Sequence, residues 1–235
     1  MIRAVFFDFY NTLATFAPSR EELQQQVLRE FGLDAALPLL ALGYPEADRT
    51  WAAEQGRWPL EQRPTEDRER VYVAYERSVL RHTGIALTDE TALAVFRRLL
   101  QVSGRWKLYD DVLPALEALR ARRLTTGIIS NVVGGLEEAL VALGLAPLLD
   151  VIVTSDQVGV TKPHPRIFEA ALQRAGVDPA EALFVGDQPD SDVAGARAAG
   201  MQALLLDRDG AYRQAADTHR LRGLEEVLAH LGTQP

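Results

Sequence analysis

The chain has 235 residues, no cysteine and a formal net charge of −8. This length suits one large domain, or a domain carrying a sizeable insertion. The charge argues against a nucleic-acid footprint or an anionic membrane surface as partner. The missing cysteine removes disulfides, thiol nucleophiles and thiolate metal sites. The start has no basic segment followed by an apolar stretch, and no run reaches the roughly 18 apolar residues of a membrane span. The expectation is a soluble cytoplasmic protein, monomer or homodimer, with a small molecule as partner.

In chain order, the first informative stretch is Ala4-Val5-Phe6-Phe7-Asp8-Phe9-Tyr10-Asn11-Thr12-Leu13. Four apolar residues running into an aspartate read as a strand buried on both faces. Asp8 then stands at the strand's C-terminal end, where open parallel sheets place ligands. A carboxylate there is poorly solvated and needs a cation or N–H partners. By itself the residue reads equally well as a turn cap.

Helical spacing follows over 19–31 (Leu23, Val27, Phe31), over about 66–82 (Val71, Tyr75, Val79) and after Thr88 or Asp89 (Leu93, Phe96, Leu100). Pro38, Gly43 and Pro45 are expected to break the chain between the first two. From about 15 to 106 the sequence suggests no strand, only an all-helical insertion. Its Trp51, Trp58, Trp106 and arginines read more readily as packing and solvated surface than as a substrate pocket.

From about 108 strand and helix alternate. A helix near Asp111 carries Leu113, Leu116 and Leu119 inward. Thr125 to Ile129 is a strand ending at Ser130-Asn131. A helix with Leu136, Leu140 and Leu143 stops at Gly144. Val151 to Val153 is a strand, and Pro165 to Ala175 a helix stopped by Gly176. Asp178-Pro179-Ala180-Glu181 has the pattern of a capping box. Leu183 to Val185 is a strand meeting Gly186-Asp187. A helix over Asp192–Ala199, a last strand Ala203–Leu206 and a closing helix over 223–231 complete the chain. This alternation argues for a parallel sheet with helices on both faces.

Successive strand ends therefore carry Asp8; Ser130 and Asn131; Lys162 in Gly159-Val160-Thr161-Lys162-Pro163; and Asp187 and Asp192 in Gly186-Asp187-Gln188-Pro189-Asp190-Ser191-Asp192. The chain has only two lysines and two asparagines, and one lysine and both asparagines fall in these segments. Three carboxylates at close range repel. A divalent cation removes that conflict, and an all-oxygen donor set suits Mg²⁺. With such a cation and Lys162 the formal charges of the trio cancel, so a phosphate enters without a large penalty. His164 reads as a loop residue, and His82, His219 and His230 as peripheral.

These four segments, in this order and spacing, resemble the four motifs of the haloacid dehalogenase-like hydrolase superfamily. The resemblance implies a Rossmann-like parallel sheet of strand order 3-2-1-4-5, built from 1–14 and 107–235, with 15–106 as a helical cap domain. It implies that Asp8 is a nucleophile forming a covalent intermediate that water hydrolyses. It assigns Mg²⁺ to Asp8, Asp187 and the Tyr10 backbone carbonyl, with Asp192 in support. Ser130 and Lys162 would hold the transferring group, Lys162 would balance developing charge, Thr12 would brace the nucleophile loop and Asn131 would face the substrate.

Tyr10 departs from the pattern. The family's phosphatases usually carry a second aspartate there, as general acid and base. Such a group contributes about 10²–10⁴ in rate. Tyrosine, with a pKa near 10, is a poor base at neutral pH. Simple alkyl phosphates should suffer most; acyl, aryl and anhydride phosphates should suffer least. Tyrosine at this position is similar to the superfamily's 2-haloacid dehalogenases, which need no metal. Those lack the paired carboxylates that Asp187 and Asp192 provide, and no cap arginine here matches their substrate-binding one. The sequence thus favours a Mg²⁺-dependent phosphatase of a small phosphorylated metabolite. A dehalogenase, or a catalytically weak ligand-binding protein on the same scaffold, is the alternative.

Overall fold

The computed structural model describes residues 1–102, 104–132, 135–208, 210, 212 and 220–232. The chain forms two compact units, one of Met1–Thr15 with Trp106–Pro235 and one of Phe16–Arg105. Its strands are β1 (Ala4–Phe7), β2 (Ala14–Ala17), β3 (Arg105–Leu108), β4 (Thr125–Ser130), β5 (Val151–Thr154), β6 (Ala182–Gly186), β7 (Gln202–Leu206) and β8 (Arg220–Leu221). β2 and β3, which carry the chain between the units, pair as a two-stranded sheet. The expectation of no strand from about 15 to 106 therefore fails at both ends of that range. No helix of the described residues is long and apolar enough to cross a membrane.

The helical unit contains α1 (Arg20–Glu30), α2 (Leu37–Arg57), α3 (Thr65–Val79) and α4 (Asp89–Leu99). Ser19 and Glu22 close a capping box on α1, and Thr88 caps α4. The expected break between α1 and α3 is instead the 21-residue helix α2. Pro38 sits in its first turn, where no backbone donor is lost. Pro45 lies inside it, at a cost of about 3 kcal/mol. Burial offsets that cost. Leu40, Tyr44 and Ala47 of α2 pack with Val27, Leu28, Val79 and Val95 in one apolar cluster, and each large side chain so buried is worth about 1.5–3 kcal/mol. Gly43 is what allows the close approach, since a Cβ there would lie 2.0 Å from the Val79 carbonyl oxygen of α3. Trp51 stacks on Tyr72 and Phe96 in the same unit.

One ionisable group in this unit is buried with no counter-charge in contact among the described residues. Glu76 is 0% exposed. One carboxyl oxygen accepts from the Gln24 amide, and the other has no partner among the described residues. Burial pushes its pKa up to about 8 against the lowering effect of the Gln24 bond. The folded protein therefore keeps a proton that the unfolded chain loses from about pH 4.5 upward. Stability contributed at low pH falls by about 1.4 kcal/mol per pH unit until the folded group also ionises near pH 8. Glu76→Gln keeps the shape and removes the titration. In urea unfolding its advantage over the wild type should grow by a few kcal/mol between pH 5 and pH 8. An advantage unchanged between those two pH values would contradict the assignment.

The other unit is built on a six-stranded parallel sheet of order β5-β4-β1-β6-β7-β8. The five expected strands take the order 3-2-1-4-5. The addition is the two-residue β8, so Ala203–Leu206 does not belong to the last strand. Every residue of β1 and β6 is buried. Val5, Phe7, Leu183 and Val185 face one apolar cluster with Val112, Leu116, Leu119, Leu136 and Leu140. Ala4, Phe6, Ala182 and Phe184 face a second with Ile167, Phe168, Ala171 and Leu172. The two-residue period thus supplies both faces of a sheet covered on each side. The helices are α5 (Val112–Ala121), α6 (Leu136–Ala142), α7 (Ser155–Val158), α8 (Pro165–Ala175), α9 (Gly195–Ala198) and α10 (Glu225–Gly232).

Two local expectations change, and the expected capping box is present. In α5, Val112 and Ala115 join Leu116 and Leu119 inside, while Leu113 is exposed. The capping box at Asp178 heads a single 3-10 turn, Pro179–Glu181, that runs straight into β6. The helix expected over Asp192–Ala199 is a π-helical segment, Pro189–Ala194, followed by the short α9.

Candidate active site

The parallel register fixes where the candidate residues fall. β1 pairs β4 from Ala4↔Thr125 to Phe7↔Ile128, and β6 from Ala4↔Ala182 to Phe7↔Val185. Asp8, Ser130 and Asp187 therefore leave the same edge of the sheet at neighbouring strands. The Asp8 N–H donates to the Val185 carbonyl at 2.9 Å, which extends the ladder one residue and fixes the carboxylate's origin. Lys162 arrives from the loop after β5 and α7.

The structure brings Asp8, Ser130, Lys162, Asp187 and Asp192 together. Lys162 Nζ lies 2.6 Å from Asp8 Oδ1 and 2.6 Å from Asp192 Oδ1. Ser130 Oγ donates to the same Asp8 oxygen at 3.2 Å. Lys162 is 3% and Asp8 7% exposed, so these are charge-assisted bonds largely out of water. Burial alone would lower the lysine's pKa, but the charges and hydrogen bonds of Asp192 and Asp8 hold it above its ordinary value. These contacts favour the ammonium form of Lys162.

Carboxylate oxygens of Asp8, Asp187 and Asp192 lie within 4.8 Å of one another. Burial, with the charges of Asp192 and Asp8, raises the Asp187 pKa well above the ordinary carboxylate value. Burial and the Asp8 charge also push Asp192 up to about 6, against the pull of Lys162. One ammonium is too little for three such groups. An all-oxygen set in this electrostatic state fits a divalent cation. Asp8 and Asp187 each hold one oxygen in a hydrogen bond, Asp8 through Oδ1 and Asp187 through Oδ2 from the Gln188 amide at 2.9 Å. Asp192 turns its Oδ2 back onto the Gln188 N–H at 3.0 Å. Gly186 permits this turn: a Cβ there would lie 2.4 Å from Asp192 Oδ2. The N–H groups of Asp192 and Val193 both donate to the Gln188 carbonyl, which widens the turn into the π-helical segment.

The other candidates sit around this group. Tyr10 packs edge-on to Trp106, with ring centroids 6.0 Å apart, and Phe9 packs on the same indole at 4.8 Å. Thr12 is fully buried, and its hydroxyl has no partner among the described residues. Its carbonyl, by contrast, accepts from Arg208 at 2.9 Å. Asn131 spends its side chain on the lysine loop: Oδ1 accepts from the Lys162 N–H at 2.7 Å, and Nδ2 donates to the Lys162 carbonyl at 3.1 Å. Its carboxamide thus fixes where the lysine leaves the chain. His164 caps α8, its Nδ1 accepting from the Arg166 N–H, and His219 lies outside the described residues.

Gln188, Asp111 and Arg208 also bond to this site, and none of the motif segments marks them as functional. Gln188 stands between the two carboxylates it bonds. Arg208 follows the end of β7, on the same sheet edge as the other four segments, and that position was the available signal.

The family model for haloacid dehalogenase-like hydrolases matches residues 2–200. A glyceraldehyde 3-phosphate phosphatase of Methanopyrus kandleri is 31% identical over 222 residues, covering 91% of this chain and 87% of its own length. A phosphoserine phosphatase of Thermus thermophilus is 36% identical over 171 residues, 72% of this chain. The chain spans 66% of that relative's length. Among solved structures, a 2-haloacid dehalogenase of Pseudomonas syringae is 25% identical, with a TM-score of 0.61 and 99% of both chains covered.

Proposed function

The chain belongs to the haloacid dehalogenase-like hydrolases, and we propose that it is a Mg²⁺-dependent phosphatase acting on a small phosphorylated metabolite through an aspartyl-phosphate on Asp8. The observation that carries the reading is the trio Asp8, Asp187 and Asp192 within 4.8 Å. A haloacid would bring a fourth carboxylate to three that already repel. A phosphate monoester is the substrate such a site accepts once a divalent cation is bound. Two relatives named as phosphatases support the same class.

In this reading an Asp8 oxygen attacks phosphorus and the bond to the leaving oxygen breaks. Water then attacks the phosphorus of the acyl phosphate, releasing phosphate and regenerating the carboxylate. Ser130 and Lys162 orient the phosphoryl oxygens, and Lys162 offsets the charge they gain. Asp8, Asp187 and the Tyr10 carbonyl would hold Mg²⁺, with Asp192 in support. Bound there, the cation supplies charge neutralisation and polarises the phosphoryl group. Residues 1–14 and 107–235 act as catalytic core and 15–106 as the cap that selects the substrate.

Tyr10 sets the substrate's chemistry. With no carboxylate to protonate the leaving oxygen, good leaving groups are favoured: acyl, aryl or anhydride phosphates. The screen uses p-nitrophenyl phosphate, acetyl phosphate and an alkyl phosphate, in Mg²⁺ and in EDTA, for the wild type and Tyr10→Asp. The wild type should release phosphate from the first two in Mg²⁺ only. Tyr10→Asp should gain on the alkyl phosphate by up to about 10²–10⁴-fold. Tyr10 also favours a second reading, a dehalogenase. Halide release from 2-chloropropionate in EDTA, without phosphate release from any ester, would establish it. A ligand that stabilises the protein without any turnover would point to a binding protein.

A further inference from the structure

We infer that Arg208, held by Asp111, is a positioning residue for the nucleophile loop. This rests on the phosphatase reading and adds to it a residue outside the four motif segments. Arg208 Nη2 donates to the Thr12 carbonyl at 2.9 Å and to Asp111 Oδ1 at 2.9 Å, while Nη1 donates to Asp111 Oδ2 at 2.9 Å. The guanidinium lies over the Tyr109 ring, 4.0 Å from its centroid. Asp111 Oδ2 also accepts from the Leu224 N–H at 2.8 Å. Burial works to raise the Asp111 pKa, but the hydrogen bonds from Arg208 and Leu224 and the Arg208 charge hold it below the usual value.

The loop that follows Asp8 needs such a hold. Its own bonds tie its ends together: the Asn11 N–H donates to the Ala14 carbonyl at 2.8 Å, and the Leu13 and Ala14 N–H groups share the Phe9 carbonyl at 2.9 and 3.0 Å. Asn11 takes a left-handed conformation, φ +59°, to close the turn. Those bonds fix the turn's shape. They do not fix its tilt against the rest of the unit. Arg208 does so at Thr12, and the Tyr109 N–H does so at the next carbonyl, Leu13, at 3.2 Å. The planar guanidinium fork reaches Thr12 and both Asp111 oxygens at once, which a lysine ammonium cannot do in the same geometry. A tilt of the turn moves both the Asp8 carboxylate and the Tyr10 carbonyl. It changes the attack geometry more than the affinity for substrate.

The test compares wild type, Arg208→Gln, Arg208→Lys and the control Arg220→Gln on p-nitrophenyl phosphate in Mg²⁺, with thermal midpoints measured alongside. Arg220 donates to the Tyr212 carbonyl at 3.0 Å and pairs with the buried Asp207 carboxylate at 3.6 Å, so its loss removes an arginine from the same strand end without removing the bonds of Arg208 to Asp111 and Thr12. For Arg208→Gln, kcat should fall about 10–100-fold, with KM within about twofold. Arg208→Lys keeps the charge but not the fork and should recover only part of kcat. Arg220→Gln should lower the thermal midpoint while keeping kcat. Wild-type kcat in Arg208→Gln and Arg208→Lys would overturn the inference, as would a kcat loss in Arg220→Gln equal to theirs. A wild type inert towards every phosphate ester would overturn the phosphatase reading, and the positioning role with it.

Discussion

Lys162→Met is expected to cost the protein both turnover and a large share of its stability. The ammonium is the positive group in contact with both Asp8 and Asp192, at 2.6 Å from each. Asp192 is 0% and Asp8 7% exposed, so water cannot take the lysine's place. Removing one partner of a buried ion pair typically costs about 3–5 kcal/mol, because the other charge is left uncompensated. The lost charge stabilisation should also lower kcat by about 10²–10³-fold. Stability and activity should separate when Mg²⁺ is added. A cation binding the folded carboxylates stabilises by mass action and should return part of the thermal midpoint. It cannot restore the ammonium that faces the phosphoryl oxygens, so turnover should stay low. Thermal melts and initial rates, each with Mg²⁺ and with EDTA, check both halves. A Lys162→Met protein as stable as wild type in EDTA would contradict the electrostatic account.

Asp8→Asn should have the opposite profile. The amide is a far poorer nucleophile, and turnover of every phosphate ester should fall by on the order of 10⁴-fold or more. The fold should not suffer. Asparagine's carbonyl oxygen can still accept from Ser130 and Lys162, and one of three repelling carboxylates becomes neutral. Asp187 and Asp192, both raised in pKa partly by the Asp8 charge, lose that contribution. The metal-free variant should therefore melt no lower than the wild type. Circular dichroism melts in EDTA, together with rates in Mg²⁺, provide the check. Substantial activity in Asp8→Asn would remove Asp8 as nucleophile.

These effects concern residues whose signals are local. A buried strand that ends in a polar residue shows itself within a few positions. So Ala4 to Phe7 ahead of Asp8, Thr125 to Ile129 ahead of Ser130, and Leu183 to Val185 ahead of Asp187 are legible as strands, while the order of the five strands follows only from the resemblance to the family. What the sequence hid depends on distant partners. Pro45 reads as a helix breaker because its cost is local, while the packing of Leu40, Tyr44 and Ala47 that offsets it comes from three other helices. Glu76 resembles any surface glutamate on a helix until Gln24 of α1 meets it, 52 residues away. The bonds of Asn131 reach across 31 residues, and those of Arg208 to Thr12 across 196. No spacing rule connects such pairs. The π-helical segment after Gln188 arises from one carboxylate folding back over a glycine, a contact that helical periodicity cannot register.

The most direct test of the central claim is to catch the intermediate. The enzyme is acid-quenched during turnover of acetyl phosphate in Mg²⁺. Its intact mass is measured, followed by that of the peptic peptide containing Asp8. One phosphoryl group on Asp8, present in the wild type and missing in Asp8→Asn, is the predicted result. Phosphate released at the full rate while Asp8 stays unmodified, or a phosphoryl group found on another residue, would contradict it.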